Sequence, residues 1–263
     1  MVHAKAGRGV QVVRSLAVLL LVSGASGCIS VFAPGSFDWG HGAAPLPEGQ
    51  TRVQLGGGGG TAAGVTEINE VGPSGLTVSM PRFGAIGGLG AGVAVEHQTS
   101  RAVLVRGEAT AGCQMPPSAD IIDTVASAVA VCPVAIYLGG QLNPGNSRNG
   151  ALRLRIGGGA DLAVTGNESP SVGDSFPYLS GQLGAVLSHE LGPLEPYIEL
   201  HGGAKGYLTY LFFPVLSAGA TGGATWKFND SVSAYALMRG DLLMAGIFPQ
   251  PSGNVQVGAF LSF

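Results

Sequence analysis

Residues 150–165 alternate between apolar and charged side chains at every second position, and this pattern constrains the fold more than any other feature of the chain. The apolar register contains Leu152, Leu154 and Ile156. The other register contains Arg153, Arg155 and Asp161. Because successive side chains of a β-strand point to opposite faces, the segment is predicted to be a strand with one apolar and one charged face.

Segments with a similar period recur along most of the chain, separated by turn-forming residues. Ten can be counted, near 51–60, 85–97, 101–112, 129–142, 150–165, 178–191, 196–208, 214–228, 231–246 and 254–263. Short alternating segments of this kind are typical of membrane strands. The sequence therefore predicts an all-β fold, although alternation alone does not say which face is in contact with water.

Composition favours a lipid-facing apolar side. Only 11% of residues are charged while 46% are hydrophobic, against about 25% charged residues in an ordinary soluble domain. The 45 glycines follow no collagen period, and they would destabilise a helix bundle while permitting close backbone approach in a curved sheet. Charge as scarce as this suits a surface in lipid better than one in water.

The N-terminus has the pattern of a secretory signal peptide. Basic residues and no acidic ones occur in the first 14 positions, an apolar run follows, and small residues precede Cys28. The tail of this segment resembles a bacterial lipobox, which implies cleavage after residue 27 and acylation of Cys28; an ordinary secretory cleavage at the same bond is the alternative. Without residues 1–27 the formal charge is 10 minus 16, or −6, so no basic face for nucleic acid is expected.

The predicted domain organisation has three parts. Residues 1–27 are the signal peptide, residues 28–50 are a lipidated N-terminus and a Pro/Gly-rich tether, and residues 51–263 are the β domain. The tether is predicted from its prolines and glycines and from the absence of apolar periodicity.

The C-terminal segment is the most specific signal. Apolar residues occupy alternate positions up to the last residue, among them Val255, Val257, Leu261 and Phe263. In this feature the sequence resembles bacterial outer-membrane β-barrels of the small porin-like class, whose final strand commonly ends in an aromatic residue. The resemblance covers residues 51–263 in pattern only. It implies an antiparallel up-and-down transmembrane barrel of about ten strands (eight to twelve), integral to the outer membrane, with a periplasmic N-terminus and a last strand that the barrel assembly machinery recognises.

Connection lengths agree with this fold, since such barrels have short periplasmic turns and longer outer loops. Alternate connections are short, and the others run to about 24 residues, the longest being 61–84. We expect closure by pairing of the first segment with the last. Outer loops 61–84 and 113–132 are the expected surface for partners in the envelope.

Cys113 and Cys132 bracket the second of these loops. In an exported protein they are expected to form a disulfide, with two unpaired cysteines as the alternative. A membrane-spanning helix within residues 124–147, which carry no charge, is a further alternative, disfavoured by the proline and glycines in its middle.

Ten charged or ionisable side chains are predicted to face the lumen. They are Arg106, Glu108, Arg153, Arg155, Asp161, Glu199, His201, Lys205, Arg239 and Asp241. In a narrow lumen we expect them to pair with one another and fill it. A small polar pore and a site that uses Glu199 and His201 are the alternatives.

Motifs for catalysis or cofactor binding do not support an enzyme. The glycine clusters lack the residues of a P-loop, and no zinc-peptidase or nucleophile-elbow motif occurs. Ser188, His189 and Glu190 are adjacent, but alternation turns His189 away from its neighbours. We therefore expect no cofactor, no metal site and a structural or interaction protein of the envelope, such as a component of a trans-envelope or surface-adhesion machine. A narrow pore is the second hypothesis and a barrel-embedded lipid-modifying hydrolase the third.

Overall fold

A computed structural model describes residues 37–71, 77–115, 128–165, 171–208, 214–245 and 248–263. Within them the chain forms ten strands and one 3-10 turn, Pro144–Asn146. The strands are β1 (Thr51–Val71), β2 (Thr77–Ser100), β3 (Val103–Met115), β4 (Ala128–Leu142), β5 (Gly150–Thr165), β6 (Ser171–Ser188), β7 (Leu194–Tyr207), β8 (Pro214–Lys227), β9 (Val232–Ala245) and β10 (Phe248–Ser262).

The ten strands form one closed antiparallel barrel in which each strand lies beside its sequence neighbours. Closure comes from β1 and β10, which pair from Arg52 opposite Ser262 to Ala62 opposite Ser252. The predicted strand number, topology and closure are thus confirmed. A closed sheet has no edge strand, so every strand has a hydrogen-bonding neighbour on both sides.

The two faces of the wall are those that the alternation predicts. On the outside of β5, Leu152, Leu154 and Ile156 are 52%, 45% and 57% exposed. The intervening side chains of Arg153 and Arg155 are buried. An apolar outside and a polar inside are the arrangement of a membrane-spanning barrel and the reverse of a soluble one.

Strand boundaries differ from the prediction at the longer connections. Most of the expected loop 61–84 is strand, because β1 continues to Val71 and β2 begins at Thr77; residues 72–76 lie outside the described part. Strand pairing relies on backbone hydrogen bonds, so it continues where the apolar alternation that marks lipid-facing segments has stopped. Residues 65–84 belong to a compact unit separate from the one that contains residues 85–263.

The disulfide is confirmed. Cys113 of β3 and Cys132 of β4 are bonded across two neighbouring strands. The expected outer loop between them, 116–127, lies outside the described residues. No helix in the described part of the chain is long and apolar enough to span a bilayer, and residues 128–142 of the helical alternative form β4.

A charge placed on the outer face should test whether that face lies in lipid. Ile156→Arg is expected to lower the free energy of unfolding in lipid vesicles by about 2–4 kcal/mol, since an arginine would be forced near the bilayer midplane. Denaturant titration followed by tryptophan fluorescence measures this loss. Leu191→Arg is the control: Leu191 is 54% exposed but lies in the turn between β6 and β7. Equally small losses of unfolding free energy from both substitutions would show that the outer face is in contact with water.

Candidate functional site in the barrel lumen

The lumen contains a segment of the chain itself. Residues 37–44, here called the lumen peptide, precede β1 and are all buried. The expectation of a tether does not hold for these eight residues. Their sequence indicates a linker because it lacks periodicity. Periodicity reports only regular secondary structure, and this peptide is irregular and is held by side chains of the wall.

All ten strands contribute a side chain to the lumen peptide. The contacts, in strand order, are made by Gln54, Glu96, Arg106, Gln141, Arg153, Ser188, Glu195, Thr225, Arg239 and Gln256. A buried peptide group without a partner is costly, and glutamine, arginine and hydroxyl side chains replace here the backbone partners that a strand would have. The peptide is therefore bound by the wall as a ligand would be.

Arg153 makes the largest set of contacts to the peptide. Its Nη2 donates to the carbonyl oxygens of His41 at 2.8 Å and Gly42 at 2.7 Å. Its Nη1 donates to Glu199 at 2.5 Å and its Nε to Gln141 at 3.0 Å. One guanidinium thus joins the peptide to three strands of the wall.

Trp39 lies between two arginines. The guanidinium carbons of Arg106 and Arg153 are each 4.8 Å from its ring centroid. His41 packs edge-on against Trp39 and Phe260, with centroids 5.9 and 5.8 Å apart. Cation–π contacts are worth most where water is excluded, and Trp39 is only 5% exposed.

Gly40 shows how closely the peptide fits. Its φ is +68°, a conformation that side-chain-bearing residues rarely adopt, and a Cβ there would come within 2.7 Å of Gln54 Nε2 and 2.9 Å of the Tyr235 ring. Gly49, outside the peptide, has a φ of +82° with nothing within 4 Å of the position of a Cβ. Gly40 and Gly49 therefore have similar backbone conformations, but only at Gly40 would a Cβ collide with neighbouring atoms.

An ion pair of Asp38 and a close contact of His41 connect the peptide to two charged networks of the wall. Asp38 accepts from Arg239 Nη1 at 2.7 Å, and Arg239 in turn donates to both carboxylate oxygens of Asp241. His41 Nε2 lies 3.4 Å from Glu96, which also pairs with Arg52 and Arg106. Charges buried this deeply are tolerated only when paired, and here the peptide supplies some of the partners.

The ten predicted lumen residues are placed on the inside of the wall, and all are paired. The pairs among them are Arg106 with Glu108, Arg155 with Glu108, Arg153 with Glu199, Lys205 with Asp161, His201 with Asp241 and Arg239 with Asp241. Lys205 Nζ also lies 3.7 Å from the ring centroid of Tyr178. The sequence had already indicated that these side chains share one interior.

Several residues of the site escaped the sequence reasoning. These are Asp38, Trp39, His41, Arg52, Glu96 and Glu195. Two features of the sequence could have identified some of them as lumen residues. Arg52 and Glu96 lie on the same faces of their strands as Gln54 and Gln98. Residues 37–41 concentrate aromatic and ionisable side chains in a stretch that is otherwise rich in glycine and proline.

Neither enzymatic alternative assembles in the described residues. Ser188 Oγ donates to Glu195 at 2.9 Å and accepts from the backbone N–H of Ala43, while His189 is exposed. His201 is bonded to Asp241 at 2.7 Å with no nucleophile bonded to it among the described groups. No group of three metal-ligating side chains occurs in the described part of the chain.

An exposed ion pair at the short-turn end contrasts with the lumen. Arg148 Nη2 donates to Glu190 at 3.0 Å, and Lys227 Nζ donates to the same carboxylate at 3.2 Å. Partial burial acts to raise the pKa of Glu190, but these two cations outweigh it and the pKa is lowered. The Arg148 side chain is 67% exposed, so its pairing contributes little stability.

Removal of Arg153 should release the lumen peptide. Arg153→Ala leaves Glu199 and two peptide carbonyl groups buried without this partner, and a loss of about 3–5 kcal/mol in unfolding free energy is expected. In a Trp226→Phe background Trp39 is the only tryptophan, so its emission should also shift to the red and become open to acrylamide quenching. Arg148→Ala is the control and should change stability by less than about 1 kcal/mol. Unchanged Trp39 emission in Arg153→Ala would show that this arginine does not hold the peptide.

No family model matches the chain, and no curated protein matches it in sequence. Solved structures with a similar fold include the translocator domain of the autotransporter NalP from Neisseria meningitidis, at 16% identity and a TM-score of 0.41, covering 83% of this chain and 90% of that chain. The outer membrane protease OmpT from Escherichia coli has 10% identity and a TM-score of 0.40, covering 83% and 98%. An outer membrane channel from Pseudomonas putida F1 has 11% identity and a TM-score of 0.45, covering 87% and 100%.

Similarities at this level of identity and TM-score do not tell which activity this chain has. The fold follows from the strands themselves: a closed antiparallel barrel with an apolar exterior and a polar interior has the architecture of bacterial outer-membrane barrels.

Proposed function

We propose that this protein is an integral barrel of the bacterial outer membrane whose lumen is closed by its own N-terminal segment, and that it acts as a structural or interaction component of the envelope. The observation that carries the proposal is the burial of residues 37–44 among side chains from all ten strands. A lumen used for conduction needs a continuous water path. In this barrel, residues 37–44 occupy the part of the lumen in which they lie.

Charge pairing in the lumen supports closure over conduction. Among the described residues, Arg52, Arg106, Arg153, Arg155, Lys205 and Arg239 line the interior, as do Asp38, Glu96, Glu108, Asp161, Glu195, Glu199 and Asp241. Six cations against seven carboxylates leave little net field. A selective pore is usually lined by charges of one sign that are exposed to the permeating ion.

Single-channel recording in planar bilayers tests the closure. The mature wild-type barrel is expected to be silent, while deletion of residues 37–44 and the substitution Gly40→Ala should both produce conductance steps. The control is Gly49→Ala, which has the same unfavourable backbone conformation without the contacts and should stay silent.

Each outcome of the recording has a meaning. Steady conductance of the wild type would overturn the closed barrel in favour of the narrow pore. Silence of the deletion variant, with heat-modifiable migration showing that its barrel has formed, would assign closure to the wall side chains and not to the peptide.

The anchoring of the N-terminus is a further part of the proposal. Cys28 lies outside the described residues, and its acylation is proposed from the lipobox-like tail of residues 25–28. The intact mass of the membrane-extracted protein is expected to correspond to residues 28–263 plus an acyl-glycerol group. The unmodified mass of the same fragment would contradict lipidation and leave the barrel wall as the membrane attachment.

Partners are proposed on two surfaces. The predicted outer loops 61–84 and 113–132 are the proposed contact with other envelope proteins. The outward apolar side chains of the last strand, Val255, Val257, Leu261 and Phe263, are 51%, 58%, 39% and 75% exposed, which suits recognition by the barrel assembly machinery before they meet lipid.

A further inference from the structure

A cavity lies on the inside of the wall away from the backbone of the lumen peptide. It is formed by β4 to β9, and its empty space, including its opening to solvent, is about 590 Å³. The polar residues that line it are Tyr137, Arg155, Ser180, Gln182, Lys205, Ser217 and Arg239.

The lining of this cavity has one sign of charge. Arg155, Lys205 and Arg239 reach it, and no carboxylate is among the described residues that line it. Their carboxylate partners do not line the cavity: Lys205 pairs with Asp161 at 2.7 Å, Arg155 pairs with Glu108, and Arg239 pairs with Asp38 and Asp241. The carboxylates therefore hold the three cations in place beside the cavity, and the nitrogens of Arg239 already donate to Asp38 and Asp241.

Arg155 has a donor without a partner. The residue is 8% exposed, its guanidinium carbon lies 3.9 Å from the ring centroid of Tyr137, and its Nη2 donates to Glu108. Its buried Nε–H has no hydrogen-bond partner among the described residues. Buried polar groups are nearly always satisfied, so an orphan donor on a guanidinium beside a cavity marks a place for an acceptor.

We propose that this cavity binds a small anion that carries a carboxylate or phosphate group. Arg155 donates from Nε, the ammonium of Lys205 and the guanidinium of Arg239 provide charge, and Ser217 and Gln182 offer neutral hydrogen bonds around the ligand. Carboxylate and phosphate are the oxyanions that the planar donors of arginine fit best. None of these groups belongs to the lumen peptide, although Arg239 also donates to Asp38 of the peptide.

Isothermal titration of the detergent-solubilised mature protein tests the site, with inorganic phosphate and succinate as separate probes. Saturable binding of at least one probe is expected, weakened by added sodium chloride. Phosphate binding without succinate binding would identify the anionic group of the ligand as a phosphate. The reverse result would identify it as a carboxylate. Arg155→Gln should weaken binding at least tenfold, whereas Arg148→Gln, which removes an exposed arginine outside the lumen, should leave it unchanged.

Two checks keep the test decisive. Heat-modifiable migration and Trp39 emission show whether Arg155→Gln retains the barrel and the docked peptide. Should that variant fail to fold, Ser217→Ala alters the lining without removing a charge and is expected to weaken binding severalfold. No saturable binding of either probe by the wild type, or equal binding by the wild type and the folded lining variant, would overturn the proposal.

Discussion

Pairing of β1 with β10 is the constraint on which the rest of the structure depends. Once ten strands are closed, the width of the lumen is fixed by strand number and tilt, and no side-chain change in the wall alters it much. An eight-stranded barrel is about as wide as its own side chains can fill, so ten strands leave space along the axis. Residues 37–44 occupy part of that space.

Filling this space with polypeptide sets a second requirement, because each buried peptide group needs a partner. The wall meets it with side chains, and the same side chains balance the charge of the interior. Arg153 is the clearest case, since it binds two peptide carbonyl groups and Glu199 at once. Charge pairing and peptide binding are thus one network, and the loss of one arginine would disturb both.

The wall could be predicted from the sequence, whereas the contents of the lumen could be predicted only in part. Alternation places Leu154 and Arg153 on opposite faces whatever the neighbouring strands are, because it is a local property of a strand. The binding of residues 37–44 is non-local: Asp38 meets Arg239, 201 positions away, and no short-range pattern encodes such a contact. The loop predicted at 61–84 was wrong for a related reason, since alternation marks only lipid-facing segments and β1 and β2 extend beyond them.

The distribution of contacts also distinguishes closure of the barrel from binding of the lumen peptide. Partners of the lumen peptide come from every strand, from Gln54 on β1 to Gln256 on β10, so its binding site does not exist until the last strand has paired with the first. The full set of contacts therefore requires a closed sheet. The converse dependence is weaker, because the hydrogen bonds that close the wall run between strand backbones and none of them involves the peptide. Closure of the wall and binding of the peptide therefore use different groups: strand backbones close the wall, and side chains such as Arg153 bind the peptide.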